Sequence, residues 1–252
     1  MDAAALPSAS DALHVFTAFG ELHLVTVSVC IALLAVLAWF GRGLRGAPRE
    51  PHVRIALALA ALAYWVAYNT WWNWHGIELR TGLPLQACDI GGLVAPFALL
   101  TQRRLLRAML YFWAFGFATQ AYIQPTLTVG PAYILFWAFW SAHTLILACA
   151  LYDLVVLGFR PNWRDCGLAL LASLVWAALV LPIDLLLGAD YGFIGNPPAD
   201  LPVPPAIAAF GPWPQRLIVI FLLVAAGFAL LLVPWRATRR RRDVAAAKQT
   251  TM

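Results

Sequence analysis

The sequence predicts an all-α polytopic membrane protein with seven transmembrane helices, its N-terminus outside and its C-terminus cytoplasmic. Three observations lead there. Of 252 residues, 62% are hydrophobic and only 12% charged, against roughly 25% charged in a soluble domain. The apolar residues gather into runs close to the about 20 residues that a spanning helix needs. The basic residues are confined to short segments between those runs. A water-soluble domain of this size cannot hide so much apolar surface. The balance excludes a soluble enzyme, a disordered chain and a disulfide-stapled secreted domain. The net charge of +5 is not a nucleic-acid signal, because it sits in the connecting segments.

The runs fall at 22–40, 55–73, 84–100, 105–123, 131–157, 165–187 and 214–235. Each is bounded by Gly, Pro or charge. Helices are expected because strand-like alternation is absent and lipid tolerates no unpaired backbone. The third run is short and carries Asp89. Charge decides whether it spans. With seven spans and the N-terminus outside, all of the 17 basic residues except Arg80 and Arg216 face the cytoplasm, as the positive-inside rule requires. Without the third span, every later segment would flip. Residues 1–21 form an extracytoplasmic N-terminal segment. They carry acids and no Lys or Arg, so they do not read as a signal peptide. Residues 22–235 form the transmembrane domain, and 236–252 a basic cytoplasmic tail that reads as a topology signal. The localisation expected is the cell membrane.

Ionisable and polar groups inside a membrane are expensive and demand an explanation. His23, Asn69, Gln86, Cys88, Asp89, Gln120, His143 and Asp184 come from six helices. All lie in the extracytoplasmic half of the expected bilayer. Asp153, near the cytoplasmic interface, is expected to face water. Shared depth has two readings: one polar cavity inside the bundle, or a set of interhelical hydrogen bonds. Cys88 and Asp89 are adjacent, so their side chains diverge by about 100° on a helix. A base for Cys88 must come from another helix, and His143 is the candidate. From Leu83, Cys88 lies about 8 Å into the membrane, and from Pro131, His143 lies about 18 Å in. The two meet only if the starts of their helices are offset. Cys30, Cys88, Cys149 and Cys166 share no surface and form no zinc spacing, so no disulfide framework is expected.

The run Leu83-Pro84-Leu85-Gln86-Ala87-Cys88-Asp89-Ile90 resembles the L-P-L-H-x-C-D-I segment of the YwaF-like family of bacterial multi-pass membrane proteins. Tyr111-Phe112-Trp113 with Gly116 and Gln120 is similar to that family's fourth helix, and Gln124-Pro125 to the T-P after it. His143 matches its F-x-x-H, and His23 a histidine in helix 1. Gly188-Ala189-Asp190-Tyr191 resembles its G-A-N-Y, and Gly211-Pro212-Trp213-Pro214 its G-P-W-P. Gln86, Asp190 and Asp184 stand where His, Asn and Asn are frequent. The family is distantly similar to eukaryotic transmembrane protein 164, a lipid acyltransferase with a catalytic Cys and His. The resemblance implies that Cys88 is a nucleophile, that His143 is its base, and that an acyl chain passes through a thioester to a lysolipid.

Three functions compete. In an acyltransferase, Cys88 and His143 are catalytic. Asp89 or Asp184 orients the imidazole, and Gln86, Asn69 or Gln120 donates to the oxyanion. In a non-catalytic binding, transport or sensory protein, the same cavity holds a solute. In a metal-dependent lipid hydrolase, His23, His143, Asp89, Asp184 and Cys88 would supply ligands, although zinc sites need three or more with defined geometry. No cofactor or metal is expected. The partners are membrane lipid and, for an enzyme, an acyl-lipid substrate. A retinal Schiff base is excluded, since the sole lysine is Lys248 in the tail. Segment 188–214, rich in proline, reads as a lid or as an aromatic collar at the interface.

The charge asymmetry predicts the sidedness of the chain. In a cysteine-labelling scan on intact cells, positions in 188–213 react with an impermeant maleimide and positions in 42–54 do not. The reverse pattern contradicts the orientation.

Overall fold

The computed structural model describes residues 13–201 and 203–235. Residues 1–12 of the N-terminal segment and the whole basic tail 236–252 lie outside the described residues. Seven main helices follow the order of the apolar runs: α1 Glu21–Gly41, α2 Glu50–Trp72, α3 Ala87–Thr101, α4 Arg104–Trp113, α5 Ile134–Val155, α6 Trp163–Leu187 and α7 Gln215–Leu231. Among the described residues no strand forms; a single antiparallel bridge joins Val15 to Val129.

Five of these helices, α1, α2, α5, α6 and α7, are long and apolar enough to cross a membrane. The other two are irregular. α3 has 15 residues, about 22 Å at 1.5 Å per residue against a hydrocarbon core of about 30 Å. It starts at Ala87 rather than at Pro84, because Leu83–Gln86 stays extended or bent. α4 widens into a π-helical turn at Ala114–Ala118 and resumes over Gln120–Ile123. The Thr119 N–H reaches back five residues to the Ala114 carbonyl at 3.2 Å. At this turn Phe228 of α7 seats itself on Gly116, where a Cβ would stand 2.6 Å from the ring. Local sequence carries neither irregularity; both depend on neighbours distant along the chain.

Helix ends follow ordinary chemistry. Pro51 occupies the first turn of α2, where its missing N–H costs nothing. Asn162 caps α6 by accepting from the Arg164 and Asp165 N–H groups, and Asp165 accepts from the Asn162 N–H at 2.9 Å, a reciprocal capping box. Gly188, at φ +65°, ends α6 in the left-handed conformation that favours glycine.

α3 is the central element and packs against α2, α4 and α5. Its buried face is Gly91, Val94, Ala95, Ala98 and Leu99. α1 packs on α5, and α6 on α4. The outward faces are apolar and exposed: Leu33, Leu37 and Phe40 on α1, Leu179 and Leu186 on α6, Leu222 and Leu230 on α7. Leu186 is 85% exposed. Apolar surface outside and polar groups inside is the distribution that a lipid solvent selects.

One end of the bundle is clamped by carboxylate–guanidinium pairs. Arg104 Nε and Nη2 both donate to Asp165 at 2.7 Å, joining α4 to α6. Arg107 Nε donates to Asp153 at 2.9 Å, joining α4 to α5. Arg54 of α2 donates to the Leu99 carbonyl of α3 at 2.9 Å. Asp153 therefore does not face water: it is buried, and an arginine on the neighbouring helix compensates its charge.

Removing one partner of such a pair strands the other charge in a dry interior, at a cost of about 3–5 kcal/mol. Thermal unfolding of the detergent-solubilised Asp153→Ala variant should show a loss of that order. Asp153→Ala/Arg107→Met should recover most of it. A double variant as unstable as the single one contradicts this account.

Candidate functional site

The site is built around the start of α3. Past Trp72 the chain runs without regular helix to Gln86. Gly82 lies so close to Asn73 and Glu78 that a Cβ there would sit 2.6 Å from Asn73 Oδ1. Asn73 Nδ2 donates to the Gly82 and Asn69 carbonyls, both at 3.0 Å. The segment leading into α3 is then held from the 188–195 loop and α6. The Tyr191 hydroxyl accepts from the Leu83 N–H at 2.9 Å and donates to the Leu79 carbonyl at 3.0 Å. Trp176 Nε1 donates to the Leu85 carbonyl at 3.0 Å. The Gly192 N–H donates to Gln86 Oε1 at 2.7 Å. At the helix start, Asp89 Oδ2 accepts from the Gln86 N–H at 3.2 Å.

Outside the spanning helices the two loops are also joined by charge. Arg80 donates to both oxygens of Asp200, at 2.8 and 3.3 Å, and to the Gly188 carbonyl at 3.2 Å. The hydrogen bonds from Arg80 hold the Asp200 carboxyl below its ordinary range.

This scaffold presents Cys88 and Asp89 in the first turn of α3. They face a narrow cleft of about 70 Å³ between α2, α3 and α5. α2 contributes Ala61, Tyr64, Trp65 and Tyr68; α5 contributes Phe139, Ala142, His143, Leu145 and Ile146; Gly92 and Ala95 complete the α3 wall. Trp65 Nε1 donates to the Asp89 carbonyl at 2.8 Å, with its ring against Gly92, where a Cβ would lie 3.1 Å away. Tyr64 donates to the Ala138 carbonyl of α5 at 2.8 Å. These contacts fix the separation of the three helices.

His143 is oriented by its own helix. Nδ1 lies 2.7 Å from the Phe139 carbonyl. A carbonyl only accepts, so Nδ1 carries the proton, and in the neutral ring Nε2 keeps its lone pair. The Phe139 ring packs against the imidazole in a tilted contact, with centroids 4.5 Å apart and planes 44° apart. The cleft thus brings together a thiol, a carboxylate and an imidazole with a free lone pair.

The structure gathers three of the eight candidates read from the sequence and places the other five elsewhere. His23 is 3% exposed and packs among Phe16, Phe19 and Trp140. Its Nδ1 accepts from the Phe19 N–H at 2.8 Å and its Nε2 donates to the Tyr122 carbonyl at 3.1 Å. Both nitrogens are therefore committed to structure. Asn69 donates to the Trp65 carbonyl on its own helix. Gln120 is exposed and donates to Gly116. Gln86 braces the 191–193 turn. Asp184 is fully buried and accepts from the Tyr191 N–H at 3.0 Å. The eight residues divide between the cleft at α3 and hydrogen bonds around it. Among the described residues no group of three or more His, Cys, Asp or Glu side chains could hold a metal ion. The four thiols are free, and Cys30, Cys149 and Cys166 are buried away from the cleft.

Sequence reasoning missed Tyr64, Trp65 and Tyr68, although Tyr64 and Tyr68 lie four residues apart on one helix face. It also missed Trp176, whose role depends on a partner 91 residues away.

Residues 18–232 match the TMEM164 family. The chain belongs to this family. Every cleft residue lies inside the matched span of the TMEM164 family. An uncharacterized protein of Treponema pallidum (strain Nichols) is 29% identical over 191 residues, 74% of this chain and 78% of that protein. No solved structure matches.

Proposed function

We propose that this TMEM164-family protein crosses the cell membrane seven times and transfers acyl chains between lipids at the α3 cleft. The N-terminus lies outside, the C-terminus in the cytoplasm, and the cleft in the extracytoplasmic half. The observation that carries the reading is Cys88 and His143 on one cleft, with the imidazole held so that Nε2 can accept a proton.

In this mechanism the Cys88 S–H proton passes to His143 Nε2 as sulfur attacks the ester carbonyl of a diacyl lipid. First-turn N–H groups of α3 face the developing oxyanion, at the positive end of the helix. Collapse breaks the ester C–O bond. The leaving lysolipid alkoxide takes the proton from His143, leaving a Cys88 thioester. An incoming lysolipid hydroxyl then gives its proton to His143 and attacks the thioester, which restores the thiol. No external oxidant or cofactor enters the balance. Asp89 lines the same cleft beside the thiol. Acyl chains run along the apolar outer faces of α2 and α5, since the cleft itself holds little more than the ester group.

A second reading is a non-catalytic binding, transport or sensory site for a small solute, favoured by the small volume of the cleft. Substitution separates the two. In purified protein reconstituted with a diacyl donor and a labelled lysolipid, Cys88→Ala and His143→Ala should each lower transfer at least about 100-fold, given the weight of nucleophile and base in such chemistry. Full turnover by folded Cys88→Ala refutes the catalytic assignment and leaves the solute site.

A further inference from the structure

A second and larger pocket, about 460 Å³, opens at the opposite end of α5. Val155 in its wall lies twelve residues beyond His143, about 18 Å along the helix. The lining is Arg42, Arg45, Leu154, Val155, Arg160 and Trp235. Three arginines line it, and among the described residues no carboxylate does. Arg45 Nε and Nη2 donate to the Val155 carbonyl, and Arg160 Nη1 to the Leu154 and Phe159 carbonyls. These bonds cap the negative end of α5 and fix two of the three cations as pocket walls. The Arg160 guanidinium also lies over the Trp235 ring, 5.0 Å from its centroid. Arg42 makes no hydrogen bond or ion pair among the described residues. It is placed by the end of α1, which approaches α5 so closely that a Cβ on Gly41 would stand 3.2 Å from Val156.

We infer that this pocket binds the phosphate-bearing headgroup of an anionic phospholipid. The cations supply charge complementarity and the fork geometry suited to phosphate oxygens. The floor is apolar, formed by Leu154, Val155 and Trp235. That suits the glycerol backbone and upper acyl chain of a lipid and gives nothing to a free hydrated anion. The apolar surface of α1 runs directly up to the rim, where Trp39 and Phe40 are each 66% exposed, as aromatic residues at the membrane interface are. The chain continues past Trp235 into Arg236 and Arg239–Arg242, adding basic charge to the neighbouring sequence. Basic pockets between helix ends are suited to anionic lipid headgroups. The site is separate from the α3 cleft and does not depend on its chemistry.

Native mass spectrometry of the full-length protein in detergent tests this with dioleoylphosphatidylglycerol, dioleoylphosphatidylcholine and inorganic phosphate as probes. A one-to-one phosphatidylglycerol adduct is expected at least tenfold more readily than a phosphatidylcholine adduct. Arg42→Gln should lower it at least fivefold at unchanged unfolding temperature of the lipid-free protein. Arg42→Lys should retain most of it, as should Arg164→Gln, which alters an exposed arginine outside the pocket. Equal binding of the two lipids, or wild-type binding by Arg42→Gln, overturns the inference. Displacement of the lipid by millimolar inorganic phosphate also overturns it, because the site is then one for a free anion.

Discussion

The structure depends on one constraint: irregular backbone inside an apolar bundle must find a partner for each polar group, because lipid supplies none. Residues 83–86, which follow a largely exposed stretch at 79–81, are such a segment. The Leu83 N–H, the Leu85 carbonyl and the Gln86 N–H are taken by the Tyr191 hydroxyl, the Trp176 indole and the Asp89 carboxylate. With those bonds in place, α3 can start inside the bundle instead of at its surface. That recessed start puts Cys88 in a first helical turn deep enough to share a cleft with His143. The loop at 188–195 is the brace for this internal helix start, and Asp184 in turn holds the brace.

The same principle separates the two ends of the molecule. Around Arg104 and Arg107 buried carboxylates are matched one to one by guanidinium groups, and the pairs tie helices together. At the cleft, thiol, carboxylate and imidazole meet without a cation among the lining residues. A compensated cluster holds structure; an uncompensated one in a cleft is poised for chemistry or binding. His23 and His143 show the difference within one residue type. Each His23 nitrogen has a partner, whereas His143 spends only Nδ1 on its own helix.

The seven apolar runs were legible because length and composition alone set them, and the order of the helices agrees with that reading. The irregularities were not. The late start of α3 depends on Tyr191 and Trp176, and the π turn of α4 faces Phe228, all remote in sequence. Which side of a helix faces inward was not legible, because helices apolar all round carry almost no periodic signal. That is why His23, Asn69 and Asp184 read as companions of Cys88, whereas His23 and Asp184 bond to backbone outside the cleft and Asn69 to its own helix. His143 lies nine residues past the start of α5 and Cys88 one residue past the start of α3, and both line the same cleft.

The central claim is that the Cys88 sulfur forms a covalent bond to an acyl group. The direct measurement is peptide mass spectrometry of the wild-type protein after incubation with a diacyl donor and no acceptor. The account predicts an acyl mass on the Cys88 peptide that neutral hydroxylamine removes and added lysolipid discharges. An unmodified Cys88 in protein that consumes donor, or an adduct confined to Cys30, Cys149 or Cys166, would contradict it.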